Sequence, residues 1–481
     1  VNASTINIAG NGGPGIANTI TGATQFYGPG GGSGLFGTGA GETGGSGGLG
    51  NGTGGQGAGN SGIGATVGKA NTGGGGGGAQ SGVAGLAGGS GVVIISCLTV
   101  SCNLAPVAAS LRLVSTRNFL LTQTTTSTTG WNSRTCQYAR DTIVSPELVL
   151  ANWIASANVG EVNNTGTSTK TATIEYPIGT YNRVTWATVA SVTMAAGDTT
   201  ASDAVTVTIP KGSLFCVKEY QTNSTQVLTA QAGCPKINIA LGDAVNNSNV
   251  DETATTSTDS GGNKMIPPLG VVAMSSLPAI VSLGSSRSCG AGDATVDATG
   301  DTGYARMFGA NFAYMNGGVF GDSMGALSTS DTKRMAFATT YGQIIWMDPG
   351  LNDLNSAKSA LFVETAIEKV VNQWPALAYV VINNEAAFTA TSDSCATDAN
   401  QTLETWEAQR VLLNTWVNSR SGYNQIVKPD AFDGHSTNFS LFNNASVPGG
   451  GVAFSTDCVH ELSAPLVAMV AANLFVPSAV H

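Results

Sequence analysis

The chain has 481 residues, long enough for three domains, and only 10% of them are charged. Its net charge of -10, with no cluster of Lys and Arg, argues against nucleic acid or an anionic membrane surface as a partner. No apolar run approaches the ~20 residues of a membrane span, so the sequence predicts a soluble protein or part of an assembly.

The chain opens on Val1 without a basic-then-apolar leader, which leaves a processed precursor and a fragment both open. Its eight cysteines are Cys97, Cys102, Cys136, Cys216, Cys234, Cys289, Cys395 and Cys458, and no two form a C-x-x-C pair. Together with only three histidines, this argues against a zinc site, and neither a metal nor another cofactor is expected. An even, scattered count in a chain of low charge favours an oxidising compartment with some disulfides, hence an extracellular, virion or cell-surface location. Buried free thiols are the alternative.

Residues 1–104 form the first predicted segment, and its first 90 residues hold 36 glycines and two charged residues, Glu42 and Lys69. Such a segment cannot bury an ordinary core. Yet Ile6, Ile8, Ile16, Ile20, Phe26, Tyr27, Leu35, Phe36 and Ile63 are more than a pure spacer needs. Extended, polyproline-II-like glycine strands that pack because no side chains intervene are one solution. The run from Gly73 to Ser90, followed by Gly91-Val-Val-Ile-Ile95, resembles the glycine-rich segments of bacteriophage tail-fibre and adhesin proteins. That resemblance implies attachment or assembly, with a homo-oligomer or larger complex as the expected state.

Residues 105–275 change to short Thr/Val/Ile-rich runs separated by Gly, Asn and Pro turns. Glu147–Ala151, Thr171–Glu175, Ala204–Ile209 and Leu214–Val217 read as strands of an antiparallel sandwich. The stretch from Ala196 to Val217 looks like the jelly-roll module that precedes the catalytic domain in some secreted esterases. Trp131, Trp153 and Trp186 could stack on sugar rings, but tryptophans in a sandwich more often fill the core.

Residues 276–481 alternate strands with amphipathic helices, which predicts an α/β three-layer domain with a parallel sheet and a site at the carboxyl ends of its strands. Ala279–Leu283, Ala313–Met315, Gln343–Met347 and Ala378–Ile382 read as strands. Ala360, Val363, Ile367, Val370 and Trp374 fall at helical spacing, and a second helix is expected around Leu403, Trp406, Leu413 and Trp416.

Four turns punctuate this domain: Gly284-Ser-Ser286, Asn316-Gly-Gly-Val-Phe-Gly-Asp-Ser323, Gly350-Leu-Asn-Asp353 and Asp457-Cys-Val-His460. Ser286 sits where a strand gives way to a helix start, and a serine hydroxyl becomes a nucleophile when a base within hydrogen-bond reach takes its proton. His460 suits that role because imidazole titrates near neutrality, and Asp457 can fold back to fix its tautomer. Gly321 offers a backbone N–H and Asn352 a side-chain amide to a developing oxyanion, with the Ser286 N–H as a third donor. Asn352 would equally suit an ordinary turn, and His435, in a loop, reads as solvated.

In this order the four turns resemble the four blocks of the SGNH (GDSL-type) hydrolase family over about residues 276–478. The family string Gly-Asp-Ser occurs literally at 321–323, so Ser323 is a rival nucleophile. Only 29 residues separate Ser323 from Asn352, too few for the intervening helix, strand and helix, and Ser286 is preferred. Ser285 then stands where the family has Asp, a departure that bears on the geometry of the turn. The resemblance implies a serine carboxylic ester hydrolase, with removal of acetyl groups from a polysaccharide or other acylated glycan as the expected reaction. The alternative is a structural or receptor-binding appendage whose hydrolase domain is a degenerate sugar-binding scaffold.

Overall fold

The computed structural model describes residues 9, 11–18, 25–34, 46, 55–58, 65–69, 72–79, 84–90, 108–126, 130–230, 234, 236–257, 264–374, 379–386, 388–420, 423–429, 434–435, 438–442 and 455–475. They fall into two compact units, Val1–Pro106 and Val107–His481.

In the first unit Ile16–Asn18 pairs antiparallel with Gln25–Tyr27. Its other described segments are held together by backbone hydrogen bonds. Gly75 and Gly78 donate to Pro29 and Gly32, while Gly55 and Ala58 donate to Gly75 and Gly78, so each ladder advances three residues at a time. A Cβ added to Gly75 would collide with Gly31, one on Gly76 with Leu86, one on Gly77 with Gln56, and one on Gly78 with Ser33 and Gly34. Three successive residues thus face three different neighbours before the first direction returns, the period of a polyproline-II helix. Backbone packed on backbone takes the place of a side-chain core here. Ile6, Ile8, Ile20, Leu35, Phe36, Ile63, Cys97, Cys102 and the run 91–95 lie outside the described residues.

The second unit is mixed and rich in sheet. One antiparallel sheet runs in the order Tyr181–Arg183, Ser168–Glu175, Leu214–Thr222, Trp131–Tyr138, Ala244–Asn247, and another in the order Thr199–Ala201, Glu147–Ala151, Gly270–Ser275, Ser110–Leu113. Leu148, Leu150, Ala172, Ile174, Phe215, Val217, Val271 and Ala273 join both sheets in one apolar cluster, at the two-residue spacing that puts alternate side chains on one face. Trp131, Trp153 and Trp186 are buried. Of the expected strand at 204–209 only Thr208–Ile209 pairs. Instead Ser202 and Val205 tie this segment to Leu148 and Pro146 through their backbone N–H groups.

The third sheet is parallel, in the order Gln425–Val427, Tyr379–Asn383, Ile344–Asp348, Ala279–Gly284, Ala313–Gly318, Asn118–Phe119. Every residue of Ala279–Gly284 is buried, as expected of a strand covered on both faces. Ala360–Val371 packs against this sheet: Ser359 caps it by accepting from Phe362 N–H, and Val363, Ala366, Ile367 and Val370 form its buried stripe. The helix stops before Trp374, which is buried all the same. The next helix begins only at Glu407, because Gln401–Leu403 is taken into a hairpin with Thr389–Thr391. Leu113, Val149 and Trp153 share one apolar cluster with Val281, Met315 and Ile345.

The strand Ala279–Gly284 lies between Ala313–Gly318 and Ile344–Asp348, in a register that sets Gly284 beside both Gly318 and Asp348. From Ala279–Gly284 the chain goes first to one neighbour and then to the other. That makes its carboxyl end a topological switch point, where open α/β sheets form their crevices.

Candidate active site

Ser286 opens a single helical turn, Ser286–Cys289, at this switch point. Ser285 is its N-cap, with extended backbone and a side chain that accepts from Arg287 N–H, and Gly290 closes the turn in the left-handed region at φ 91°. The close approach requires glycine at 284 as well: a Cβ there would collide with the Ser288 hydroxyl and the Asp348 Cβ.

The Ser286 Oγ lies 2.8 Å from His460 Nε2, and His460 Nδ1 lies 2.7 Å from Asp457 Oδ2. The other Asp457 oxygen accepts from the N–H groups of Val459 and His460, both at 2.9 Å, and from the Ser455 hydroxyl at 3.0 Å. Burial alone would lift the Asp457 carboxyl, but its hydrogen bonds from the His460 ring and from these backbone N–H groups hold it well below the usual carboxylate range. It is therefore ionised across the neutral range and oriented toward the imidazole.

Gly321 has φ 77° in a turn closed by Asp322 N–H donating to Val319 O, a conformation that favours glycine. The Asn352 side-chain amide donates to Asp322 O at 2.7 Å, which joins the second and third turns. Ser286, Gly321, Asn352 and His460 line one cavity of about 400 Å³ with Ala291, Phe320, Leu351, Asn355, Phe388 and Val459. Among the described residues, no Lys, Arg, Asp or Glu lines it.

Ser323 is placed elsewhere. Its hydroxyl caps the helix Met324–Ser330 by accepting from Ala326 N–H at 3.2 Å. Asp353 accepts from the Met324 and Gly325 N–H groups at 2.8 and 3.0 Å, so the last residue of the third turn also serves as a cap. The backbone of His435 pairs at a hairpin with Asn438.

Asp348 lies outside the four sequence turns, and the contacts of Asn316 and Cys458 inside theirs are not readable from the sequence. The Asp348 carboxylate lies under the Ser286–Cys289 turn and accepts from the Ser285 and Ser288 hydroxyls, both at 3.2 Å. Burial raises its pKa, against the opposing charge of Arg287. Asn316 donates to Ser288 O at 2.9 Å and so ties the neighbouring strand to the same turn. Cys289 is disulfide-bonded to Cys234 and Cys458 to Cys395, while Cys136 pairs with Cys216 across adjacent strands. One disulfide thus anchors the serine turn and another the histidine loop. Spacing along the chain identifies none of these partners, because each is brought in by a different strand or loop.

Comparison with models of known families and with curated proteins finds no match. Among solved structures, the chain is similar to a member of the lipolytic protein G-D-S-L family from Veillonella parvula, at 15% identity and TM-score 0.28, over 41% of this chain and 97% of that one. It is similar to Est24, a carbohydrate acetylesterase from Sinorhizobium meliloti, at 11% identity and TM-score 0.28, over 41% and 97% of the two chains. An acetyl xylan esterase, Est2A, from Butyrivibrio proteoclasticus matches at 10% identity and TM-score 0.26, over 78% and 95%. At TM-scores this low the likenesses carry no weight for the chemistry.

Proposed function

We propose that this chain is a serine ester hydrolase, acting through Ser286, His460 and Asp457 on uncharged acyl esters, with O-acetyl groups of a polysaccharide as the substrate class. The observation that carries the reading is the unbroken hydrogen-bonded relay from Ser286 to His460 to Asp457 at the wall of a cavity. His460 Nε2 takes the Ser286 proton as Oγ attacks the ester carbonyl carbon. Asp457 holds the Nδ1 proton and stabilises the imidazolium that forms. The carbonyl oxygen, now an oxyanion, accepts from the Ser286 and Gly321 backbone N–H groups and from the Asn352 amide.

The C–O bond to the alcohol then breaks, and His460 returns the proton to the departing oxygen. Water, deprotonated by the same imidazole, attacks the seryl ester; the bond from the acyl carbon to Ser286 Oγ breaks, His460 returns the proton to that oxygen, and the acid leaves. Cavity walls that hold no Lys, Arg, Asp or Glu among the described residues favour a neutral acyl group, because a charged one would be desolvated without a partner. The four sequence blocks in their order support the same reading. The glycine-packed first unit supports a role in attachment or assembly, outside the cell or on a virion, alongside the chemistry.

The test is turnover of a simple aryl acetate and release of acetate from an acetylated polysaccharide. Ser286→Ala should lower kcat by on the order of 10⁴-fold or more. A folded wild-type protein without turnover on either substrate would favour the degenerate, sugar-binding scaffold.

A further inference from the structure

The Ser286–His460 contact joins residues 174 positions apart, one on a single helical turn and the other in a loop without regular structure. Something must hold the two within 2.8 Å. Arg287 directly follows the nucleophile, and its side chain is fully buried. Its Nε donates to Val459 O at 2.7 Å and lies 3.8 Å from Glu461 Oε1, so one guanidinium meets the residues on both sides of His460. Its Nη1 donates to Glu385 Oε1 at 2.5 Å.

Glu385 is itself fixed to the helix Glu407–Ser419: its N–H donates to Asn414 Oδ1 at 2.7 Å, and its carbonyl accepts from Arg410 and Asn414 at 2.9 and 2.8 Å. Glu461 is held by the Tyr304 hydroxyl at 3.0 Å. Burial by itself would lower the Arg287 pKa, but Glu385 and Glu461 reverse this and keep the guanidinium charged.

We propose that Arg287 is a positioning residue, a rigid bridge that carries the placement of the helix Glu407–Ser419 and Glu385 through to the backbone of Val459 and so sets the His460 imidazole against Ser286. This rests on the hydrolase reading for its effect on rate, but not for its effect on the imidazole. The planar guanidinium reaches two acceptors in a fixed fork, which a lysine ammonium on its flexible stem does not reproduce. A displacement of His460 by about 1 Å costs on the order of 10²-fold in rate, while the cavity that receives the substrate keeps its walls apart from Val459 and His460.

Two variants test it: Arg287→Lys, which keeps the charge, and Arg287→Met combined with Glu385→Gln and Glu461→Gln, which removes the cation together with the two buried carboxyl groups beside it. Both should fold and lose on the order of 10²-fold in kcat with KM changed less than about twofold. The control is Arg117→Met with Asp243→Asn, which removes another fully buried pair and should leave kcat unchanged. Proton NMR gives a readout that needs no turnover: the deshielded Nδ1 proton of His460, assigned by its loss in His460→Ala, should broaden or disappear in both Arg287 variants but not in the control.

Unchanged kcat and an unchanged resonance in the Arg287 variants would overturn the inference. So would equal losses in the control, which would mean general destabilisation. A wild-type protein without esterase turnover but with an Arg287-dependent resonance would sink the hydrolase reading and leave the bridge standing.

Discussion

At the scale of single residues, the site separates two serines that the sequence offers as rivals. Ser286 Oγ faces His460, whereas Ser323 Oγ accepts from a helix N–H. Ser323→Ala should therefore cost stability, about 1 kcal/mol for a lost cap, and leave kcat nearly unchanged. Asn352→Ala should lower kcat by roughly 10²–10³-fold, the usual effect of losing the oxyanion donor proposed here, and should also lose the bond to Asp322 O. Steady-state kinetics and denaturant titrations on the same two proteins check both. A Ser323→Ala variant that is stable but inactive would reverse the roles assigned to the two turns.

The histidine and its aspartate were legible because they lie three residues apart, close enough for Asp457 to fold back. Arg287, Glu385 and Asp348 were not, since nothing along the chain reports that two strand ends and a loop converge on one guanidinium.

At the scale of elements, the parallel strands were legible because burial on both faces leaves a continuous apolar run, as at Ala279–Gly284. The hairpin Thr389–Thr391 with Gln401–Leu403 was missed because Leu403 read as the start of a helical stripe. Leu403 matched that stripe by spacing but is exposed rather than buried.

The strand Ala313–Gly318 carries a further consequence through Tyr314, whose hydroxyl donates to Asp301 at 2.5 Å. Burial, reinforced by Asp297, pushes the Asp301 carboxyl up to about 7, against its hydrogen bonds from Tyr314 and Thr299. Its value in the unfolded chain is about 4, so the folded protein keeps a proton that the unfolded chain releases. The resulting stability is fully present below about pH 4 and is lost as the pH rises through about 7. Asp301→Asn, which stays neutral, should gain in denaturation midpoint relative to wild type as the pH is raised from about 5 to about 8. A difference that does not change with pH would contradict the assignment.

At the scale of the whole molecule, composition alone announces the change between the glycine-rich segment and the rest. It does not announce how the glycines pack; the three-residue recurrence of contacts along 75–78 does. Gly76→Ala should loosen the first unit, seen as faster proteolysis within the first 106 residues, because its Cβ would collide with the Leu86 carbonyl. Gly13→Ala, whose Cβ would meet nothing within 4 Å, should be tolerated. Neither change should alter esterase turnover, since the proposed chemistry uses only residues of the second unit. Equal sensitivity of the two glycines would argue against backbone packing as the source of order there.

The claim that Ser286 is the nucleophile has one direct measurement. A serine-reactive phosphonate, a mimic of the tetrahedral intermediate, should bond only to the hydroxyl that His460 activates, and peptide mass mapping should find the adduct on Ser286. Ser285 points to Asp348 and Ser323 to Ala326, so both should remain unmodified. An adduct on Ser323, or no adduct anywhere in a folded protein, would contradict the account.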